Sequence, residues 1–332
     1  AKNPWILQLD ADEELLPKSL EWLRENYPWQ GVNGYVTTIN NLQHKNYDEI
    51  QISHKVCRFF RNKHDLRYVN KIHEYINLGV QHISASEIYI LHKGYGDPDA
   101  KEKRKHRNRK LLYSALDEQP NSPTILAYLA QHYTSSEEYE KAYEYGKKAL
   151  GKTIINDMLK RASLRACCIY ATKEKKRELL EEMKEKTDDN YFPEILYYDA
   201  KITQHYGNED KAYRLFKRFL ENITDMDKSE RELKIVNSIP AMAQVECANY
   251  LAHNNKLDKA ITHMEKAVDQ APTYYKARAI LGKYYFEYND IEKAAETFEQ
   301  LIEYLIELGS EQQKKHLLPR YKSLIQKIRN VE

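Results

Sequence analysis

The chain has 332 residues, and its 52 lysines and arginines against 50 aspartates and glutamates leave a net charge of +2. That balance gives no global pull toward nucleic acid or an acidic membrane surface. No apolar run approaches the ~20 residues of a bilayer crossing, so no membrane span is expected.

A hydrophobic content of 42% and a charged content of 31% describe a folded chain, long enough for two domains. Cys57, Cys167, Cys168 and Cys247 follow no metal-ligand spacing, and the adjacent pair does not suit a mutual bridge. A reducing, cytoplasmic setting is therefore expected.

Residues 1–96 read as strands with turns. Ile6–Asp10, Gly34–Asn40, Lys55–Phe60 and Ile88–His92 are short and rich in β-branched or aromatic residues. Between the first two, "LPKSLEWLRENYP" predicts a helix with Pro17 in its first turn and Pro28 beyond its end. Strand, helix and further strands imply part of an α/β sheet.

The first strand runs into Asp10-Ala11-Asp12. In an extended segment these carboxylates point the same way, and at the carboxyl end of an α/β strand they face the ligand crevice. Two hard carboxylates on one side suit Mg²⁺ or Mn²⁺ holding a diphosphate. The plainer reading is an acidic turn that opens the following helix. Further along, "KIHEYI" places His73 beside Glu74, and "ILHKGYG" places His92 at a strand end before two glycines.

"KEKRKHRNRK", Lys101–Lys110, predicts a basic helix within a linker at 97–121. A solvated linker helix is the simplest reading, and a positive wall near a diphosphate or acidic acceptor is the functional one. Nucleic-acid binding is not expected, because no recognition motif or broader basic face accompanies the run.

From residue 122 to 332 the pattern is helical and periodic. One stretch carries Leu129, Ala130, Tyr133, Ala142 and Ala149, and another carries Leu281, Gly282, Tyr285, Ala294 and Phe298. Both put a small residue at position 8, an aromatic at 11 and alanine at 20 of a 34-residue unit, the tetratricopeptide pattern. Ala248, Ala260, Ala267 and Pro272 form a third copy, and Ala200, Ala212 and Phe216 a weaker fourth. Residues 157–186 read as helical but degenerate, and "TDMDKSERELKIVNS" predicts additional helix. The expected fold is mostly α: a partial α/β domain followed by a helical solenoid whose groove takes a protein or peptide partner.

The order "WILQLDADEEL", "CRFFRN", "KIHEYI", "ILHKGY", basic helix, tetratricopeptide repeats resembles the family 2 glycosyltransferases of GT-A fold with C-terminal repeats. It is similar to the peptide S-glycosyltransferases of bacterial bacteriocins. The resemblance implies that residues 1–96 are the C-terminal portion of a GT-A domain, with earlier strands absent. It implies that Asp10 and Asp12 hold a divalent metal on a nucleotide-sugar diphosphate, with His92 a further ligand. It makes Glu74 the candidate general base, His73 its orienting partner and Arg58 a contact to phosphate or acceptor. The reaction implied is inverting sugar transfer to a protein or peptide. A non-catalytic repeat scaffold with a remnant transferase segment is the alternative, and a metal-dependent nuclease or phosphatase, which needs more acids nearby, is a third.

Overall fold

The structure, a computed structural model, describes residues 2–26, 31–42, 50–69, 75–76, 83–92, 98–154, 156–187, 191–226, 238–272, 274–308 and 311–329. Two compact units divide the chain, Ala1–Ser136 and Glu137–Glu332.

The first unit contains β1 (Trp5–Leu7), β2 (Glu13–Leu15), α1 (Pro17–Glu25), β3 (Gly34–Leu42), β4 (Ile50–Arg61), β5 (Tyr68–Val69), β6 (Tyr75–Ile76), β7 (Ile83–His92), α2 (Pro98–Glu118) and α3 (Pro123–Ser135). Five strands form a mixed sheet in the order β1-β4-β3-β7-β2, and β5 and β6 pair separately. β3 and β7 run parallel, and the other pairs are antiparallel.

Alternation decides the two faces of this sheet. Trp5, Tyr35 and Phe59 point one way and pack with Ile88 and with Trp22 of α1. Trp5 stacks on Phe59 at 4.8 Å, and Trp22 meets Tyr35 edge-on at 5.2 Å. Ile6 and Phe60 point the other way, toward Ile76 and Leu66. Pro17 occupies the first turn of α1, where a missing N–H is harmless. The fully buried Ser19 hydroxyl then donates to the Tyr89 carbonyl at 3.0 Å and accepts from its N–H at 2.8 Å. That bond fastens α1 to β7 where the β3–β7 register shifts.

The basic helix α2 is anchored through its later turns. Leu112 and Ala115 are buried. Tyr113 and Tyr133 share a 2.6 Å hydroxyl contact, and Arg109 lies 5.2 Å over the Tyr133 ring while donating to His132 Nε2. One member of the basic run is therefore a packing residue.

The second unit is helical: α4 (Tyr139–Leu150), α5 (Asp157–Lys173), α6 (Arg177–Glu185), α7 (Glu194–His205), α8 (Glu209–Thr224), α9 (Ser238–His253), α10 (Leu257–Gln270), α11 (Tyr275–Glu287), α12 (Ile291–Leu308) and α13 (Glu311–Arg329). The added helix expected over "TDMDKSERELKIVNS" falls mostly on 227–237, outside the described residues.

One backbone device repeats along the chain. Glu137, Lys175, Gly207, Asn255 and Asn289 have left-handed φ of 62°, 57°, 77°, 57° and 66°, and each sits midway between two helices. After each of the last four, the next N–H reaches back five residues: Lys176 to Ala171, Asn208 to Thr203, Lys256 to Leu251 and Asp290 to Tyr285, at 2.9–3.2 Å. This is the Schellman closure, which satisfies carbonyls at the end of one helix and aims the chain into the next.

These turns set a common register. Seven residues before them stand Cys168, Ala200, Ala248 and Gly282; five after them stand Leu180, Ala212, Ala260 and Ala294, and all are buried. Residues 157–186 are thus a full helix pair, α5 and α6. The pair escaped the expected pattern because Leu180 occupies the alanine position while Ala171 occupies the aromatic one. Volume has been exchanged across the pair rather than lost.

Only Gly207 among the five turn residues is glycine, and an added Cβ there meets nothing within 4 Å. Left-handed φ alone then sets the penalty, about 1 kcal/mol. Gly207→Ala is expected to lose, and Lys175→Gly to gain, about 1 kcal/mol. Urea unfolding midpoints of the two variants check this.

Candidate functional site

The acidic turn is built from both edges of the sheet. β1 ends at Leu7, and Asp10 to Glu13 form a tight turn: the Glu13 N–H donates to the Asp10 carbonyl at 3.0 Å, and the Asp10 N–H donates to Glu13 Oε2 at 2.8 Å. The predicted strand through Asp10 is therefore corrected. Alternation along an extended segment does not govern where the two carboxylates point.

They diverge. Asp10 Oδ2 accepts from Arg58 Nη2 of β4 at 3.1 Å, and the same nitrogen donates to Glu13 Oε1 at 3.3 Å. Asp12 Oδ2 lies 3.1 Å from Nε2 of His92, the last residue of β7. The structure brings Asp10, Asp12, Arg58 and His92 to one turn of chain. His73 and Glu74 lie outside the described residues.

Sequence reasoning missed Glu13. Its side chain is 2% exposed, against 52% for Asp10 and 45% for Asp12. The signal was present as an acid three residues after an acid, a spacing that lets a carboxylate close a turn on the backbone N–H it follows. Arg58 is thereby committed: it neutralises a buried carboxylate first and reaches Asp10 with the same nitrogen.

Asp12 and His92 have the chemistry of a hard divalent ion's partial ligand set. Mg²⁺ and Mn²⁺ take one or two protein ligands and complete their shells with water and phosphate oxygens. Among the described residues no group of three such side chains converges. The pair fits an ion that arrives with its phosphates better than one held by protein alone.

The cysteines offer no rival chemistry. All four are free; burial pushes the Cys57 thiol up to about 11 and those of Cys167 and Cys247 up to about 12. At neutral pH none is a thiolate nucleophile.

In the second unit, the leading helices of successive pairs lie side by side through polar contacts. Arg165 of α5 grips Glu194 of α7 through two bonds of 2.7 and 2.9 Å, and Glu194 is fully buried. Lys201 of α7 reaches Glu246 of α9 at 2.7 Å, and Gln204 donates to the same carboxylate at 3.2 Å. Tyr284 of α11 donates to Asn249 of α9 at 2.9 Å. Lys201, Gln204, Glu246 and Asn249 are each half-buried, so this row forms a polar face with its outer atoms in reach of a ligand.

Residues 251–305 match the model of the tetratricopeptide repeat family. No curated protein matches the chain. Among solved structures, the Cut9–Hcn1 hetero-tetramer of APC/C aligns over 66% of this chain and 40% of that one, with 12% identity and a TM-score of 0.51. Yeast Tom70 aligns over 66% of this chain and 42% of that one, with 18% identity and a TM-score of 0.49. YrrB, a tetratricopeptide protein with an unusual peptide-binding site, aligns over 64% of this chain and 97% of that one, with 17% identity and a TM-score of 0.36. The chain spans about two fifths of the first two proteins' length. At 12% identity the Cut9–Hcn1 likeness speaks for the fold alone. Among the described residues no helix is long and apolar enough to cross a membrane.

Removal of Arg58 tests the acidic turn. Arg58→Met leaves the Glu13 carboxylate buried without its cation. A loss of about 2–3 kcal/mol is expected, below the usual figure for a fully buried pair because Arg58 is 16% exposed. Urea unfolding measures it, and Arg58→Met with Glu13→Gln is expected to recover most of the loss.

Proposed function

We propose that the chain is a protein-interaction scaffold in which the face of α5, α7, α9 and α11 holds an extended protein or peptide segment. The observation that carries this reading is the row of half-buried Lys201, Gln204, Glu246 and Asn249 across α7 and α9, beside the Arg165–Glu194 pair that aligns α5 with α7. A row of donors and acceptors at helical-repeat spacing matches the alternating amides and side chains of an extended chain. The tetratricopeptide match at 251–305 supports the same reading.

Peptides selected from a displayed random library against the intact chain test it. Their affinities are expected to fall at least tenfold, ~1.4 kcal/mol, in Lys201→Met combined with Asn249→Ala. Peptides that bind the double variant as well as the parent would remove this face from the function.

A second reading concerns the first unit: an inverting glycosyltransferase, or its C-terminal portion at 1–96, using a nucleotide-sugar donor and a protein or peptide acceptor. The specific observation favouring it is Asp12 and His92 at 3.1 Å beside Asp10 and Arg58. A divalent ion bound there would neutralise the departing diphosphate. Asp12 and His92 would hold it, Asp10 would stay paired with Arg58, and Glu74, oriented by His73, would take the acceptor proton. A cytoplasmic setting, a linker at 97–121 and repeats from 122 to 332 belong to the same proposal.

Calorimetric titration with UDP, with and without Mn²⁺, tests this reading. Binding that requires Mn²⁺ and vanishes in Asp12→Ala is the expected result. Metal-independent binding, or binding unaltered by the substitution, removes these acids from the donor site.

A further inference from the structure

We infer that the cavity between the α4–α5 connection and the end of α6 binds a small phosphate ester. The cavity holds about 310 Å³ and is lined by Leu150, Lys152, Thr153, Ile154, Lys160 and Lys186. Three ammonium groups and a hydroxyl share this space with two aliphatic side chains, and none of the described lining residues is acidic. The cations come from three places in the fold: Lys152 from the connection, Lys160 from the first turn of α5 and Lys186 from the residue that follows α6. Like charges brought together repel, a cost that an anion among them would return.

Beside Lys160 stands a fourth cation, Arg161. The Lys160 ammonium lies 4.8 Å from the centre of the Tyr191 ring, and the Arg161 guanidinium carbon lies 5.3 Å from the same point. The two charges are therefore within about 10 Å, one Debye length at 0.1 M salt. Arg161 is only 8% exposed. Among the described residues its side chain makes no ion pair or hydrogen bond, and neither do those of Lys160 and Lys186. Arg165, one turn further along α5, has Glu194; Arg161 has no such carboxylate. The acid nearest in sequence, Asp157, is exposed and accepts from the Tyr191 hydroxyl at 3.0 Å. A buried guanidinium without a counter-ion is costly. The ring face offsets part of that cost, and an anion held by Lys160 would offset more through space.

Charge and size name the occupant. A phosphate monoester carries close to two negative charges at neutral pH and three strong acceptor oxygens, enough for several lysines, whereas a carboxylate brings one charge. Lysines suit it as compact charges with rotatable donors. The cavity stands at the lower end of the range for small-ligand pockets, which fits a small molecule better than a peptide strand. Leu150 and Ile154 supply an apolar wall for its organic part.

The probe is phenyl phosphate, titrated calorimetrically into the intact chain beside benzoate, which has the same ring and one charge. Phenyl phosphate is expected to bind at least tenfold more tightly, and its affinity to fall as the pH drops through its second ionisation at about 6. Lys160→Met with Lys186→Met, checked for folding by circular dichroism, is expected to weaken it at least tenfold. Lys259→Met with Lys266→Met, which removes two exposed lysines of α10, is expected to leave it unchanged. Absence of binding, equal affinity for the two probes, or binding that survives the loss of Lys160 and Lys186 overturns the inference. So does binding that appears only after Asp188→Asn with Asp189→Asn, two acids that follow shortly after Lys186, because the chain's own carboxylates would then be the occupant.

Discussion

The left-handed residue that closes each helix pair is the constraint on which the second unit depends. It fixes where one helix stops, and the following N–H, bonded to the carbonyl five residues before it, fixes how the next begins. Once that turn is set, the residues seven before and five after must meet inside the pair. Only small or complementary side chains fit there. Gly282 shows how tight the fit becomes: a Cβ at that position would stand 2.8 Å from the Phe298 ring, which is itself stacked on Tyr321. Gly146 meets the same limit between helices, with the Ser163 carbonyl 3.0 Å from where a Cβ would be. Close approach inside each pair is what lets successive leading helices stand in a row and share side chains such as Glu194 and Glu246.

That row contains a fully buried carboxylate, which is not an obvious source of stability. Taking Arg165 and Glu194 out of water costs several kcal/mol per ion, about what their attraction returns. The pair's contribution is better understood as alignment. A guanidinium fork and a carboxylate match in one orientation only, so α5 and α7 are held in one relative position. Asp199 works similarly, accepting from Arg177 at 3.2 Å and Lys184 at 2.6 Å to join α7 to α6. A solenoid face that must recognise an extended chain gains from such alignment, since its contacts are spread over many helices.

Periodicity was legible wherever a repeat kept its alanines. Ala248 with Ala260 and Gly282 with Ala294 announced their pairs because the position and the residue type agreed. α5 and α6 did not, because Ala171 and Leu180 preserve the packed volume while reversing the residue types. A pattern read from residue type cannot see a sum of volumes. The strands were legible as alternating apolar runs, with Gly34–Asn40 and Lys55–Phe60 both lengthened in the fold by pairing with each other. The acidic turn was half legible. Its residues were visible in the sequence, but which carboxylate would be buried depended on Arg58, 45 residues beyond Glu13.

The turn also says something about the sheet that pairing alone does not. β1 and β2 are its two edges, four strand spacings apart, about 19 Å on a flat sheet. Leu7 and Glu13 must bridge that gap. The three steps from Asp10 to Glu13 form a turn that spans under ~7 Å, and the three from Leu7 to Asp10 reach at most ~11 Å. The total falls short of the flat distance, before any offset along the strands is counted. The sheet must therefore curl so that its edges approach at this end, in keeping with the right-handed twist of strands. Curling is what carries Arg58 of β4 to Glu13 of β2, whereas His92 stands against Asp12 because it pairs directly with Glu13 across β7 and β2. The clustering of these four side chains is thus a consequence of a short connection across a curved sheet, and it would arise even if none of them bound a ligand. Their proximity alone does not distinguish a donor site from a structural knot, whereas a metal-dependent response at Asp12, which the buried Glu13–Arg58 pair does not need, separates the two.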